Sequence, residues 1–156
     1  MTKIECKLEC PKAQRACRAL MHSMALLVGA LLPLGVGAFA TIVGLDRDRA
    51  FYPTLMIVIA ALYSLFAAIG ESTHALVLDA LIGLVFIAAA TVGFRSSLWI
   101  VAAALAAHGA LDSIHGAIVS NPGVPSWWPA FCGAYDVVAA GYLAWLLASG
   151  RVRAVR

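Results

Sequence analysis

One apolar segment carries three side chains of the types that bind metal ions or move protons. His108, Asp112 and His115 form the pattern H-x3-D-x2-H, and on a helix these positions fall within about 60° of one face. Imidazole nitrogens and carboxylate oxygens are ligands of zinc and of non-haem iron or manganese. The spacing favours a divalent metal site, and the alternatives are a proton relay or a polar contact between helices.

The next apolar segment also carries residues at helical spacing. Trp128, Cys132 and Asp136 recur every four residues, so they share one helix face. We expect Asp136 to join the metal ligands. Cys132 alone is more simply explained as a small buried apolar side chain.

A third segment offers Glu71, His74 and Asp79. These three positions spread over about 140° of helix circumference, so they cannot all face one centre. Glu71 is equally well explained as a solvated residue at the start of a helix. The full set of candidate metal ligands is His108, Asp112, His115, Asp136, His74 and Glu71. The candidate catalytic carboxylates are Asp79, Asp112 and Asp136.

The composition shows whether these groups belong to a water-soluble domain. The chain has 156 residues, of which 63% are hydrophobic and only 12% are charged, and its mean hydropathy is +0.92. A soluble domain of this size needs more polar side chains to cover its surface. Nucleic-acid binding, secretion as a disulfide-framed module and intrinsic disorder are therefore disfavoured.

Apolar runs long enough to cross a bilayer as helices account for most of the chain, since a span needs roughly 20 residues. They do not alternate in polarity as the strands of a membrane barrel do. The expected fold class is all-α, a polytopic transmembrane helical bundle of about five spans. The predicted spans are 19–44, 52–70, 74–94, 97–119 and 128–149.

The predicted spans form one domain over residues 19–149, between a polar basic N-terminal tail, 1–18, and a basic C-terminal tail, 150–156. The first span also has features of a signal peptide, and its cleavage would leave four spans. Its apolar stretch is longer than the roughly 7 to 15 residues of a signal core, which favours an uncleaved helix. We expect a multi-pass protein of a bacterial cytoplasmic (inner) membrane.

If the chain crosses the membrane five times, the N-terminus lies on the same side as the connection between spans two and three and the connection between spans four and five. All four histidines belong to that side. At 1.5 Å per residue, Asp79, Asp112 and Asp136 each lie about 12 Å below that surface. Three buried carboxylates at one depth require a compensating cation, shared protons or a water-filled cavity.

Residues from about Ala104 to Leu146 include H-G-A-L-D-S-I-H and then N-P-G-V-P-S-W-W-P-A-F-C-G-A-Y-D. This stretch resembles a family of small, uncharacterised multi-pass membrane proteins that pair H-x3-D-x2-H with a proline-rich turn and C-x3-D. The resemblance covers little more than a quarter of the chain, and Gly116 stands where members often carry another histidine. It implies that these residues act as one unit, and it implies no activity. The matching positions are His108, Asp112, His115, Cys132 and Asp136.

Three classes of function agree with these features. The first is a metal-dependent enzyme acting on a lipid or another membrane-soluble substrate. The second is a proton- or metal-coupled transporter, which would have to oligomerise because five spans contain no inverted repeat. The third is a structural or assembly subunit without chemistry.

The one-sided polar cluster favours the enzyme, because a carrier needs polar groups that are reachable from both faces of the membrane. The expected cofactor is a divalent metal, zinc first and iron or manganese next. The expected partners are the lipid bilayer, a lipid-like substrate and a second copy of the chain, but no nucleic acid.

Overall fold

A computed structural model describes residues 11–47 and 49–153, and these residues form five α-helices and no β-strand. The first ten residues of the predicted N-terminal tail and the last three of the C-terminal tail lie outside the described part. The all-helical bundle expected from the sequence is confirmed. The helices are α1 (Pro11–Val43), α2 (Phe51–Ile69), α3 (Thr73–Arg95), α4 (Leu98–Ile118) and α5 (Trp128–Ala148).

All five helices are long and apolar enough to cross a membrane. Large apolar side chains such as Leu20, Ile42 and Val85 point outward, whereas the interior holds several ionisable groups. This arrangement is the reverse of a water-soluble domain and suits a protein whose surface meets lipid. The buried ionisable residues are Asp46, Arg49, Asp79, His108, Asp112, His115 and Asp136.

Local sequence sets the ends of the helices. The Ser72 hydroxyl accepts a hydrogen bond from the Ala75 amide at the start of α3, and the Ser97 hydroxyl accepts one from the Trp99 amide at the start of α4. Such N-caps satisfy backbone donors that have no partner within the helix. α1 begins eight residues before the predicted span and continues through Pro33.

Contacts between connections define the two ends of the bundle. At one end, the Arg49 guanidinium donates to the carbonyl oxygens of Phe94 and Ser96, each at 3.3 Å, and of Arg153 at 2.9 Å. These bonds join the α1–α2 connection, the α3–α4 turn and the segment after α5. We call this the Arg49 end.

At the other end, the α4–α5 loop packs against the turn between α2 and α3. The Asn121 amide donates to the Tyr63 carbonyl oxygen at 3.0 Å, and a methyl group at Gly70 would lie 2.6 Å from the Gly123 nitrogen. We call this the Asn121 end.

Candidate metal centre

The site begins with a close crossing of α4 and α5. A methyl group at Gly109 would lie 3.0 Å from the Gly133 carbonyl oxygen, and one at Gly133 would lie 3.2 Å from the Gly109 carbonyl oxygen. Small residues let helix backbones approach this closely in a membrane. The residues that neighbour these two glycines, His108 and Cys132, are thereby brought to the helix interface.

Four metal-ligating side chains meet at this crossing. His108 Nδ1 lies 2.7 Å from Asp136 Oδ2 and 3.8 Å from Asp112 Oδ2. The Cys132 thiol lies 3.9 Å from Asp136 Oδ2. One donor atom from each of the four residues lies within 4.8 Å of the other three. We call His108, Asp112, Cys132 and Asp136 the four-residue cluster.

Two carboxylate oxygens of this cluster are not satisfied by the protein. Asp112 Oδ2 and Asp136 Oδ1 are buried, and neither has a hydrogen-bond partner among the described residues. Asp112 is 2% exposed and Asp136 is fully buried. A buried charge without a partner is costly, and ionised groups in protein interiors are normally paired or bound to metal. The two oxygens therefore call for a further partner, which is a cation, a proton or a bound water molecule.

A second polar group lies beside the cluster and is fully paired. His115 Nε2 lies 2.8 Å from Asp79 Oδ1, and the Asn121 amide donates to Asp79 Oδ2 at 2.7 Å. The Gly123 amide in turn donates to Asn121 Oδ1 at 3.0 Å. Each oxygen of Asp79 thus has a nitrogen partner, and this group needs no additional cation. We call Asp79, His115 and Asn121 the paired group.

Tyr63 of α2 contacts both groups. Its hydroxyl donates to Asp112 Oδ1 at 2.7 Å. Its ring stacks on His115, with 3.7 Å between ring centroids and 18° between the ring planes. Phe86 of α3 makes an edge-to-face contact with His108, with 4.9 Å between ring centroids. Aromatic rings from α2 and α3 thus contact the polar groups.

The structure divides the candidate residues among three locations. It brings His108, Asp112 and Asp136 together, and it places Asp79 with His115 in the paired group. Glu71 and His74 are exposed at the start of α3 and lie outside the four-residue cluster.

His115 shares a helix face with His108, as the periodicity indicates. The two residues are nevertheless seven positions apart, which is about 10 Å along a helix axis. His115 is not one of the four residues whose donor atoms meet at the crossing, and its Nε2 instead faces Asp79.

Three residues of the site were not among the metal ligands or catalytic residues predicted from the sequence. Cys132 carried a signal, since it precedes Asp136 by one turn on the same face, but a lone cysteine is common in apolar cores. Tyr63 is an ordinary residue of a membrane span, and Asn121 is an ordinary residue of a proline-rich loop. Only their contacts with Asp112 and Asp79 distinguish them.

The donor set of the cluster agrees with a zinc ion. Zinc binds imidazole nitrogen, thiolate sulfur and carboxylate oxygen at about 2.0 to 2.3 Å, usually with four ligands. Tetrahedral geometry at such bond lengths separates donor atoms by about 3.3 to 3.8 Å. The four donor atoms lie within 4.8 Å of one another, which is somewhat wider than the separation around a bound zinc ion.

Comparison of the chain with protein-family models, with curated proteins and with solved structures found no match. The resemblance to small multi-pass membrane proteins with the H-x3-D-x2-H and C-x3-D patterns therefore stays a prediction.

Proposed function

We propose that this membrane protein binds one divalent metal ion, zinc by preference, between α4 and α5. The ligands are one donor atom from each member of the four-residue cluster. The observation that carries the proposal is the contrast between the two polar groups. Asp79 has a partner on both oxygens, whereas Asp112 and Asp136 each keep one buried oxygen without a partner within residues 11–47 and 49–153.

Charge supports a divalent ion. Two ionised carboxylates, the Cys132 thiolate and a neutral imidazole carry three negative charges, and one divalent cation reduces this to one. Without an ion, His108 as a cation would compensate only one carboxylate, and the second carboxylate and the thiol would need to keep their protons. The ion thus offsets most of the charge that ionised donors would place in the interior of a membrane bundle, where a net charge is expensive.

The Cys132 sulfur atom favours zinc as the bound metal. Soft thiolate ligands select zinc among the common divalent metals, whereas sites built of carboxylate and water suit manganese. Cys132 is 3% exposed and contacts Asp136. Zinc is therefore preferred over iron and manganese, both of which the sequence also allows.

The number of ligands bears on what the metal does. Structural zinc sites use four protein ligands, whereas catalytic sites keep one position for water or substrate. The cluster has four donor side chains, and all four are buried. We therefore propose a metal that holds α4 and α5 together. The metal-dependent enzyme, with Asp79, Asp112 and Asp136 as catalytic carboxylates, stays a prediction from the sequence.

The setting of this function is the lipid bilayer, and we propose the cytoplasmic membrane of a bacterium as its location. Helical bundles are the usual fold of that membrane, whereas outer-membrane proteins are typically barrels. The lipid-like substrate and the homo-oligomer stay predictions from the sequence.

The decisive experiment is metal analysis of the full-length protein purified in detergent without added chelator. We expect close to one zinc per chain in the wild type. His108→Ala and Cys132→Ser should reduce zinc to a small fraction of that value. His74→Ala is the matched control, because His74 is exposed and lies outside the cluster, and it should retain the zinc.

Folding of each variant is checked by gel filtration and circular dichroism. A folded wild type that contains no metal, and binds none when zinc is added, would falsify the proposal. Equal zinc loss in His74→Ala and His108→Ala would also contradict it, because the metal would then not depend on the cluster.

A further inference from the structure

Two contacts and burial hold Tyr63 in one orientation. Its ring stacks on His115, its backbone carbonyl accepts the Asn121 amide, and its side chain is 4% exposed. A tyrosine with a stacked ring and a buried position has few accessible rotamers. The direction of its hydroxyl is therefore set by the paired group and not by solvent.

That hydroxyl points at one oxygen of a proposed metal ligand. It donates to Asp112 Oδ1 at 2.7 Å, while Asp112 Oδ2 faces His108 at 3.8 Å and has no hydrogen-bond partner in the part of the chain that the structure describes. The two oxygens of this carboxylate thus have different surroundings. Oδ1 accepts the hydrogen bond from Tyr63 of α2, and Oδ2 is directed toward the metal-ligating atoms of α4 and α5.

We propose that Tyr63 is a positioning residue for the metal centre, which limits Asp112 to a single coordinating oxygen and keeps the ion four-coordinate. This inference rests on the proposed metal binding. Groups that hydrogen-bond to metal ligands orient those ligands, and their loss typically weakens metal affinity 10- to 100-fold. Tyr63 would orient Asp112 from a third helix, α2, although the metal site lies between α4 and α5.

The chain contains a matched control in the same helix. Tyr52 is also buried, at 3% exposure, but its hydroxyl has no hydrogen-bond partner among the described residues. It precedes Tyr63 by eleven residues, about 16 Å along the helix axis. Tyr52→Phe removes the same atom from the same helix without touching the cluster.

The test compares metal affinity and coordination in three full-length proteins, namely the wild type, Tyr63→Phe and Tyr52→Phe. Zinc affinity is measured by competition with a chelator of known affinity, after removal of bound metal. We expect the dissociation constant of Tyr63→Phe to rise about 10- to 100-fold and that of Tyr52→Phe to equal the wild-type value. Tyr63→Phe keeps the ring that stacks on His115, and circular dichroism of the metal-free protein checks that it is folded before the affinity is measured.

A second measurement separates positioning from general stability. Cobalt(II) replaces zinc as the probe, and its visible absorption is strong in four-coordinate sites and weaker at higher coordination number. Without the Tyr63 hydroxyl, both oxygens of Asp112 are available to the ion. We expect weaker visible bands in Tyr63→Phe and unchanged bands in Tyr52→Phe.

The outcomes distinguish the two proposals. Failure of the wild type to bind zinc or cobalt overturns the proposed function. Wild-type binding with equal affinities and spectra in all three proteins leaves the metal site intact and overturns the role of Tyr63. Weaker binding in Tyr63→Phe with an unchanged cobalt spectrum also overturns it, because the coordination would then not depend on the hydroxyl.

Discussion

Gly109 and Gly133 face each other across the crossing of α4 and α5, and a methyl group on either would approach the backbone of the other within 3.2 Å. The distance between these helices is therefore set by two residues without side chains. Each glycine directly follows a residue of the four-residue cluster, so the same contact determines how close the proposed metal ligands come.

Gly109→Ala should separate α4 from α5 and weaken zinc binding at least 10-fold. The added methyl would meet the Gly133 carbonyl oxygen at 3.0 Å and Asp136 Cβ at 3.2 Å, and overpacking of this kind costs about 1 to 3 kcal/mol. Denaturation of the detergent-solubilised protein and chelator competition measure the two effects.

Gly116→Ala is the control for this prediction. Gly116 also lies in α4, but no atom lies within 4 Å of a methyl group placed there. Alanine favours a helix over glycine by about 0.8 to 1.0 kcal/mol, so this variant should be unchanged or slightly more stable. Equal loss of zinc in both variants would show that the crossing does not control the site.

Substitutions of the buried aspartates should differ in how far a chelator lowers the melting temperature. A ligand at a hundredfold excess over its dissociation constant stabilises a protein by about 2.7 kcal/mol, so chelation should lower the melting temperature of the wild type. Asp136→Asn should melt at a lower temperature and show no response to chelator, because a metal ligand has been lost.

Asp79→Asn should behave differently from Asp136→Asn. It disturbs the pair with His115 and lowers stability, but it leaves all four proposed ligands in place. Its melting temperature should still fall on chelation. The metal assignment fails if Asp79→Asn and Asp136→Asn respond identically.

Asn121→Ala should destabilise the bundle without loss of zinc. The substitution removes the donor to Asp79 Oδ2 and to the Tyr63 carbonyl oxygen, and a buried acceptor left unpaired costs about 1 to 3 kcal/mol. The readouts are the free energy of unfolding and the zinc content of the same sample.

Ser113→Ala provides the comparison for Asn121→Ala. It also deletes a side-chain hydrogen bond, from Ser113 to the Ala110 carbonyl oxygen, but at an exposed position of α4. We expect a change within about 0.5 kcal/mol. An effect of Asn121→Ala no larger than this would contradict the role given to the paired group.

Labelling should assign the two ends of the bundle to opposite faces of the membrane. Thr73 and Ser120 are exposed at the Asn121 end, and Ser96 is exposed at the Arg49 end. We expect single cysteines at positions 73 and 120 to react with an impermeant thiol reagent from one face, and a cysteine at 96 from the other. The native cysteines are replaced beforehand. Reaction of 73 and 120 from opposite faces would refute the arrangement.

The fold class follows from the sequence alone. Apolar runs of about 20 residues in water would expose more apolar surface than a soluble domain can tolerate, and a helix satisfies its own backbone groups inside a bilayer. Each predicted span corresponds to one helix of the structure. The periodicity of α4 likewise predicted that His108 and Asp112 share a face, because side-chain direction on a helix depends only on local geometry.

The composition of the site depends on tertiary structure. Periodicity gives the direction of a side chain around a helix axis but does not say which residues of other helices lie at the same height. His115 therefore appeared equivalent to His108, and only the packing of α3 showed that it faces Asp79. Cys132 joins the cluster because the glycines of α4 and α5 let the two backbones meet.

The roles of Tyr63 and Asn121 could not be predicted from patterns in the sequence. Tyr63 reaches Asp112 across 49 residues of chain, and Asn121 reaches Asp79 across 42. No periodicity links such positions, because hydrogen bonds of this kind arise only when separate helices pack. The sequence determined the helices and the faces that carry polar groups. Packing decided which of those groups are paired and which keep a buried oxygen without a hydrogen-bond partner among the described residues.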